Sequence, residues 1–271
     1  MFVRLLVILV LLPGGLALIT IGGGLYALGV SIILTLAALE YARLFQQAGY
    51  QPFVPLILGG VLLLGLARSF YSLATLLDLQ IMLTLLSTTW HLWQYERGRD
   101  QAATDFAITF SGIFYFGLLG GYLIALRVLP TGLWWTLHTL FVIWFADTGA
   151  YLIGSRWGRH KLNRRLSPKK SWEGYFGGIL FGTISGVALI PLWTWLNGAP
   201  LPIQPTHGAL LGIALSTLTI LGDLGESMVK RQVGAKDSSH LLPGHGGVWD
   251  RIDSWLWAAP IAYWLIRLWG A

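Results

Sequence analysis

The sequence predicts an all-α polytopic membrane protein. Of its 271 residues, 55% are apolar and only 11% are charged, whereas a soluble domain carries about 25% charged residues. The apolar residues recur in long runs along the whole chain, which excludes a soluble globule and also a soluble domain with a single anchor. Because the chain contains no cysteine, disulfides, thiol nucleophiles and cysteine-ligated metal sites are excluded as well.

About nine apolar stretches approach the length of roughly 20 residues that a helix needs to cross a bilayer. They cover residues 5–20, 22–39, 53–68, 72–93, 103–126, 132–154, 174–196, 207–224 and 253–270. The first stretch is interrupted by Pro13, Gly14 and Gly15. It has an alternative interpretation as a signal peptide, in which Arg4 precedes the apolar segment Leu5–Leu12.

The basic residues orient these spans. With the N-terminus in the cytoplasm, nine spans place 15 of the 18 lysines and arginines on the cytoplasmic side, leaving Arg68, Arg127 and Arg267. Positive residues are enriched in cytoplasmic loops of membrane proteins. We therefore predict nine transmembrane helices, with the N-terminus cytoplasmic and the C-terminus on the opposite side.

The acidic residues suggest how the chain is organised. Seven of the twelve lie between Asp147 and Asp253. We predict that residues 1–130 form a transmembrane scaffold with possible dimer contacts. Residues 131–271 are predicted to form the catalytic region, with cytoplasmic loops at 155–172 and 225–251.

Two pairs of carboxylates stand at the ends of predicted spans. Asp223 and Glu226 are three residues apart at the end of the eighth span, and Asp250 and Asp253 repeat this spacing at the start of the ninth. Residues three or four apart share a helix face, and one loop joins the two helices, so the pairs are predicted to converge. The simpler alternative is that these are solvated charges at helix ends.

Converging carboxylates repel one another unless cations neutralise them. Oxygen ligands without cysteine favour Mg²⁺, which takes one or two carboxylates together with water and substrate phosphates. The helix that carries Asp223 and Glu226 also has Ser227 and Lys230 on the same polar face. The pattern therefore predicts a magnesium site that receives a phosphate-bearing substrate.

The loop between the two pairs is rich in glycine. Three glycines within four residues, of which Gly246 and Gly247 are the last two, allow backbone N–H groups to approach an anion. His245 lies among them as a candidate proton carrier or phosphate donor, and Lys236 and Arg251 flank the loop. An ordinary tight turn is the alternative interpretation.

A second basic segment, Arg156 to Lys170, contains seven cations and no acid. Attraction to anionic lipid explains such a segment, but Lys169 and Lys170, followed by Glu173, also suit a triphosphate or a lipid phosphate. Asp147, within an apolar run, marks either a helix end or the wall of a site. Because the cations are confined to short loops, a nucleic-acid partner is not expected.

The C-terminal residues resemble a known family. The pattern S-x-[apolar]-K-R-x4-K-D-x-[small]-x2-[apolar]-P-x-H-G-G-[apolar]-x-D-R-[apolar]-D is filled at every defined position from Ser227 to Asp253. The runs S-P-K-K-S-W-E-G at Ser167–Gly174 and G-D-L-G-E-S at Gly222–Ser227 are also similar to that family. The family is that of the phosphatidate cytidylyltransferases, or CDP-diacylglycerol synthases.

The resemblance implies the reaction CTP + phosphatidate → CDP-diacylglycerol + pyrophosphate. It also implies a homodimer in the cell (inner) membrane, with the active site facing the cytoplasm and Mg²⁺ as cofactor, together with a candidate second cation, monovalent or divalent. By similarity, Asp223 and Asp250 would be metal ligands supported by Glu226 and Asp253. The residues expected to contact phosphates are Lys230, Arg231, Lys236 and Arg251.

The carboxylates, the cations and the loop residues each receive a predicted role. The predicted catalytic residues are Asp223, Asp250, Asp253, Lys230, Lys236, Arg251 and His245. The predicted substrate-binding residues are Lys169, Lys170, Ser227, Arg231, Gly246, Gly247, Asp147 and Glu173. An ionised lipid phosphate needs no general base, so we expect in-line attack on the α-phosphorus of CTP, assisted by metal and cations.

Two alternatives stay open at this point. A cytidylyltransferase that acts on an isoprenoid lipid phosphate would have the same polar residues, because lipid tails contact generic apolar surface. A cation-coupled transporter would use Asp147 and Asp223 as pathway residues, although no inverted repeat is visible in the sequence.

Overall fold

The computed structural model describes residues 2–239, 241 and 246–270, and helices dominate this part of the chain. The helices are α1 (Phe2–Ile21), α2 (Gly23–Gln47), α3 (Val54–Ala67), α4 (Leu73–Glu96), α5 (Ala102–Gly112), a π-helical stretch (Ile113–Leu119), α6 (Tyr122–Val128), α7 (Gly132–Trp157), α8 (Trp172–Asn197), α9 (Pro205–Leu218), α10 (Ile220–Gln232) and α11 (Trp249–Leu268). The predicted all-α class is confirmed.

Six helical segments are long and apolar enough to cross a membrane. They are Gly23–Gln47, Leu73–Glu96, Ala102–Val128, Gly132–Trp157, Trp172–Asn197 and Pro205–Gln232. The end of α1 and the whole of α3 are apolar but shorter, and α11 carries several charged residues. The protein is therefore polytopic, while the number nine and the sides of the two termini stay predictions.

One row of exposed side chains on α4 is apolar, as is expected of a helix that faces lipid. Leu77, Ile81 and Leu85 follow one another at intervals of four residues, and each has about half of its surface exposed. A row of this kind on a water-soluble protein would be an unusually large apolar patch. In a bilayer the same row is in its preferred environment.

One short β-hairpin interrupts the helices. Strands β1 (Lys161–Asn163) and β2 (Ser167–Ser171) pair antiparallel, with Lys161 opposite Ser171. The hairpin lies inside the segment 155–172, which was predicted from the sequence only as a cytoplasmic loop. Ser171 then begins α8, because its hydroxyl accepts a hydrogen bond from the Gly174 N–H at 3.2 Å.

The chain divides into two compact units. The first unit is the part of the chain up to Val128 together with Val229–Ile252, and the second is Leu129–Met228 together with the residues from Asp253 onward. The segment 229–252, predicted from the sequence to belong with the C-terminal region, thus packs with the N-terminal helices. The assignment of residues 1–130 as a scaffold and of residues 131–271 as the catalytic region stays a prediction.

In the second unit, glycines let helices α8 and α9 approach closely. A Cβ on Gly212 would lie 2.5 Å from the carbonyl oxygen of Gly182 and 2.6 Å from the Cα of Thr183. Gly186 and Gly208 face each other in the same way, each Cβ position falling on the other's carbonyl oxygen. Small residues at helix contacts are typical of membrane proteins, where close backbone packing holds the helices together.

Replacing Gly212 with alanine should therefore destabilise the second unit. The added methyl group meets backbone on the neighbouring helix, so the helices must separate, and overpacking of this kind costs about 1–3 kcal/mol. The expected result is a lower midpoint of thermal unfolding in detergent. Gly225→Ala is the matched control, because a Cβ at that position of α10 meets nothing within 4 Å; an equal loss of stability in both variants would contradict the packing argument.

Candidate functional site

Seven of the predicted site residues fall into two groups, one in each unit, and Ser238, which was not predicted, joins the first group. The loop cluster, in the first unit, consists of Lys230, Ser238, Gly247 and Asp250. The carboxylate cluster, in the second unit, consists of Asp147, Lys170, Asp223 and Asp253.

Asp250, in the first turn of α11, is the centre of the loop cluster. Its Oδ1 accepts a hydrogen bond from the Lys230 ammonium at 2.5 Å. Its Oδ2 accepts three, from the Ser238 N–H at 2.9 Å, the Ser238 hydroxyl at 2.7 Å and the Gly247 N–H at 2.8 Å. The side chains of Lys230 and Asp250 are only 9% and 10% exposed, so this is a mostly buried and well-partnered ion pair.

These contacts determine the charge state of Asp250. Burial favours the neutral acid, but the hydrogen bonds from Lys230, Gly247 and Ser238 together outweigh it and hold the pKa of Asp250 well below its usual range. A carboxyl with a lowered pKa stabilises the fold above its unfolded-state pKa, and this contribution disappears as the pH falls through the folded-state pKa. Asp250 is therefore a carboxylate at physiological pH.

Glu40, on α2, is a residue of this region that the sequence analysis did not identify. Its Oε1 accepts hydrogen bonds from the Ser239 hydroxyl at 2.5 Å and the Val248 N–H at 2.9 Å. Its Oε2 accepts from the Trp249 N–H at 2.8 Å and lies 3.0 Å from the Ser238 hydroxyl, whose single hydrogen is shared between Glu40 and Asp250. The signal was present in the sequence, since Glu40 is an ionisable residue inside a predicted span, and such residues usually have a function.

Aromatic packing supports the same region. Trp249, which begins α11 and is 2% exposed, contacts the rings of Tyr41 and Phe116 edge to face at 5.6 and 5.4 Å between centroids. Tyr41 follows Glu40 on α2, so one helix end supplies both polar and apolar contacts to the start of α11. Edge-to-face pairs add about 0.5–1.5 kcal/mol each beyond the area they bury.

Gly246 and Gly247, which precede α11, are each required to be glycine for a different structural reason. Gly246 has φ +82°, a left-handed conformation that favours glycine. A Cβ on Gly247 would lie 2.5 Å from the Oε2 of Glu40 and still closer to the hydroxyl of Ser238. Gly247 is thus required for close packing beneath the loop, while its predicted contact with a substrate anion stays a prediction.

Gly247→Ala should therefore disturb the loop cluster. The methyl group would push Ser238 and Glu40 away from each other, and with them the donors of Asp250. We expect activity to fall by about 10²-fold, as for a displacement of about 1 Å at a reacting centre. Gly59→Ala is the control, because a Cβ there meets nothing within 4 Å; wild-type turnover by Gly247→Ala would show that the loop tolerates the methyl group.

The carboxylate cluster has Asp223 at its centre. Its Oδ2 pairs with the Lys170 ammonium at 2.6 Å, and its Oδ1 accepts a hydrogen bond from the Ser227 hydroxyl at 3.3 Å. Asp147, on α7, and Asp253, on α11, both lie close enough to interact electrostatically with Asp223 and Lys170. Lys170, predicted to bind phosphate, thus contacts a carboxylate here.

Two helices that each carry one of these carboxylates approach each other closely at a glycine. A Cβ on Gly222 would lie 2.5 Å from the carbonyl oxygen of Asp253 and 2.8 Å from Cδ1 of Trp257. Helix α10 therefore approaches α11 closely at this level of the second unit. Asp223, the next residue after Gly222, is placed near Asp253, which is buried.

The balance of charge in this cluster suits a cation. Three carboxylates face one ammonium group, and uncompensated carboxylates attract positive charge. Within residues 2–239, 241 and 246–270, no group of three or more histidine, aspartate or glutamate side chains is arranged to hold a metal ion. What these side chains provide is an excess of carboxylate groups beside the Lys170 ammonium.

Glu173 connects α8 to the segment before the hairpin. Its carboxylate accepts hydrogen bonds from the His160 N–H at 3.2 Å, and it pairs with His160 Nδ1 at 2.6 Å. Glu173 thus has a structural partner as well as its predicted role toward substrate. An open recess beside it is lined by Arg159, His160, Lys161, Arg164 and Trp172.

The remaining predicted residues lie in varied environments. Glu226 on α10 is buried, and Arg231 donates a hydrogen bond to the carbonyl oxygen of Ala235 at 3.0 Å. His245 lies outside the described residues. The predicted phosphate contacts that are exposed at the surface are Lys169, Arg231, Lys236 and Arg251.

The chain is similar to known proteins over almost its whole length. A family model described as the cytidylyltransferase family matches residues 2–269. A phosphatidate cytidylyltransferase of Pseudomonas aeruginosa is 36% identical over 99% of this chain and 97% of its own length. Proteins of the same name from Synechocystis and Bacillus subtilis are 31% and 40% identical, over 93% and 59% of this chain and 92% and 58% of their own lengths.

Proposed function

The chain belongs to the cytidylyltransferase family, and we propose that its two clusters serve the transfer of a cytidylyl group. It is a multi-pass membrane enzyme that converts CTP and phosphatidate to CDP-diacylglycerol and pyrophosphate. This conclusion rests on the similarity to the phosphatidate cytidylyltransferase of Pseudomonas aeruginosa, which extends over nearly the full length of both chains. The transporter alternative is therefore set aside.

The reaction needs electrostatic help more than proton transfer. A phosphate oxygen of phosphatidate attacks the α-phosphorus of CTP, a new P–O bond forms, and the bond from the α-phosphorus to the bridging oxygen breaks, so that pyrophosphate leaves with the electron pair. The nucleophile is already ionised at neutral pH. The enzyme must therefore bring two polyanions together and stabilise negative charge as it moves to the leaving group.

We propose that the loop cluster supplies a fixed cation for a phosphate group. Lys230 is mostly buried, and its ammonium is held by a carboxylate whose other oxygen is anchored to the loop backbone. A cation fixed in this way needs little reorganisation when substrate binds. Both oxygens of Asp250 have donors, which favours an orienting role toward Lys230; its predicted role as a metal ligand stays a prediction.

We propose that the carboxylate cluster holds Mg²⁺ through Asp223 and Asp253, with Glu226 in support. When bound, the ion would neutralise charge on the phosphates of CTP and on the leaving pyrophosphate. Lys170 and its exposed neighbour Lys169 would contact those phosphates. The excess of carboxylates over ammonium groups within this cluster supports the proposal.

We propose that the enzyme lies in the inner cell membrane as a homodimer, with its polar clusters facing the cytoplasm. Support comes from the distribution of charge, since a nine-span topology places 15 of the 18 basic residues on the cytoplasmic side. CTP is dissolved in the cytoplasm while the acyl chains of phosphatidate stay in the bilayer. The basic segment before α8 would then also face anionic headgroups.

The proposal is tested with purified protein in phosphatidate-containing liposomes. Labelled CTP and Mg²⁺ should give labelled CDP-diacylglycerol and one equivalent of pyrophosphate, and omitting phosphatidate should abolish the product. A parallel reaction contains an isoprenyl phosphate in place of phosphatidate. Consumption of the isoprenyl phosphate alone would show that the lipid substrate is wrongly assigned.

A further inference from the structure

We propose that Glu40 is a positioning residue that fixes the Lys230–Asp250 pair. It lies on α2, far from the signature residues in sequence, and it binds both ends of the segment 238–249, at Ser238–Ser239 and at Val248–Trp249. The inference rests on the proposed function only in that it takes the reaction of CTP with phosphatidate as its readout. Its structural basis lies entirely within the first unit.

The contacts of Glu40 are symmetrical about its two oxygens. Oε1 accepts from the Ser239 hydroxyl and the Val248 N–H. Oε2 accepts from the Trp249 N–H and lies within hydrogen-bond distance of the Ser238 hydroxyl, whose single hydrogen it shares with Asp250. Glu40 is 3% exposed, so these donor groups replace the water that its carboxylate would otherwise bind. The Val248 and Trp249 N–H groups each need a hydrogen-bond acceptor, one at each terminal atom of the side chain. Among side chains, only a carboxylate accepts hydrogen bonds at both terminal atoms and donates at neither.

These contacts lead directly to Asp250. Ser238 lies within hydrogen-bond distance of both carboxylates, 3.0 Å from Glu40 Oε2 and 2.7 Å from Asp250 Oδ2. Gly247, whose N–H donates to Asp250, packs against Glu40 so closely that it has no room for a side chain. The donors that hold Asp250, and through it Lys230, are therefore themselves held by Glu40.

The location of Glu40 also argues for a specific role. An ionisable group in a membrane helix is costly unless it is paired or hydrogen-bonded, and a buried apolar residue would fill the same volume without that cost. Residues that orient the ligands of a metal site typically lower activity by about 10- to 100-fold when they are replaced, and Glu40 orients Asp250 in a similar manner. We expect Glu40 to fall in this range.

The decisive comparison is between Glu40→Gln and Glu40→Asp. Glutamine has the size of glutamate, but in either orientation its NH2 group meets a backbone N–H, of Val248 or of Trp249, and neither can turn into an acceptor. Aspartate is shorter but accepts at both oxygens. Turnover should therefore fall by about 10- to 100-fold in Glu40→Gln and by less in Glu40→Asp.

A residue that only fills space would give the opposite order, because glutamine preserves the volume and aspartate does not. The second measurement is hydrogen exchange of the Val248 and Trp249 amides, which should become faster in Glu40→Gln while the amides of α4 are unchanged. Exchange does not depend on substrate, so it remains informative if a variant has no activity.

Asp105→Asn is the matched control. Asp105 is also a buried carboxylate of the first unit, 1% exposed, and it accepts hydrogen bonds from the Gln51 N–H at 2.7 Å and Arg99 Nε at 2.8 Å. It contacts neither end of the 238–249 loop through these bonds. The variant should lower the unfolding temperature but leave exchange at Val248 and Trp249 and the turnover of the folded protein unchanged.

The outcomes separate the two proposals. If the wild-type protein does not convert CTP and phosphatidate, the proposed function fails, whatever the exchange data show. If the wild type is active and Glu40→Gln keeps wild-type turnover, or if Glu40→Gln is less impaired than Glu40→Asp, the positioning role of Glu40 is wrong and the function stands. Equal loss in Glu40→Gln and Asp105→Asn would also overturn it.

Discussion

Asp250→Asn is expected to lower turnover by about 10³-fold, the upper end of the effect of removing one preorganised electrostatic partner. The reason is that every neighbour of the carboxylate is a donor. An amide placed there turns its NH2 group either toward the Lys230 ammonium or toward the N–H groups of Ser238 and Gly247. In both orientations the negative charge that holds Lys230 is lost.

The measurement is the turnover of CTP and phosphatidate per folded protein, with the folded fraction determined by size-exclusion chromatography and thermal unfolding. Removing one partner of a buried ion pair costs about 3–5 kcal/mol, so some loss of stability is expected and must be separated from loss of turnover. Asp100→Asn, at an exposed position, serves as the control. Turnover within about threefold of wild type in Asp250→Asn would rule out the role assigned to Asp250.

Asp223→Asn is expected to have the second-largest effect, a decrease of about 10²- to 10³-fold at a fixed concentration of Mg²⁺. The substitution removes the carboxylate that pairs with Lys170 and that we propose as a ligand of the metal. It should also raise the Mg²⁺ concentration that gives half-maximal activity, because one of two charged ligands is missing.

The Mg²⁺ activation curve distinguishes the metal role from a purely structural one. Asp78→Asn, at an exposed position of α4, should give a curve that superimposes on that of the wild type. Chelation with EDTA should abolish turnover in the wild type, and added Mg²⁺ should restore it. If Asp223→Asn loses activity but keeps the wild-type half-maximal Mg²⁺ concentration, Asp223 is not a ligand of the activating ion.

The helical fold could be predicted because hydropathy is a local property. Each predicted span lies largely on a helix, since a run of about 20 apolar residues has few other stable structures in lipid. The hairpin at Lys161–Asn163 and Ser167–Ser171 could not be predicted in the same way. Its strands are short and basic, so neither alternation nor apolar content indicates them.

The candidate site could be predicted only in part for a related reason. The spacing of Asp223, Asp250 and Asp253 along two helices is visible in the sequence, and the motif that contains them identified the family. The contact of Glu40 with Ser238 joins residues 198 positions apart, and no periodicity encodes such a pairing. The Lys170–Asp223 pair is equally non-local, because it connects the hairpin to α10.

The long separation of Glu40 from its partners has a consequence for biosynthesis. The ribosome delivers α2 to the membrane with an acidic residue whose four donors lie 198 to 209 residues later in the chain. Inserting an acidic side chain near the middle of a helix costs about 3 kcal/mol on the scale set by the translocon, and Glu40 lies toward one end of α2, where that cost is smaller. The first unit therefore completes its folding only after translation has passed Trp249, and chains that stop earlier lack the donors that hold the Glu40 carboxylate.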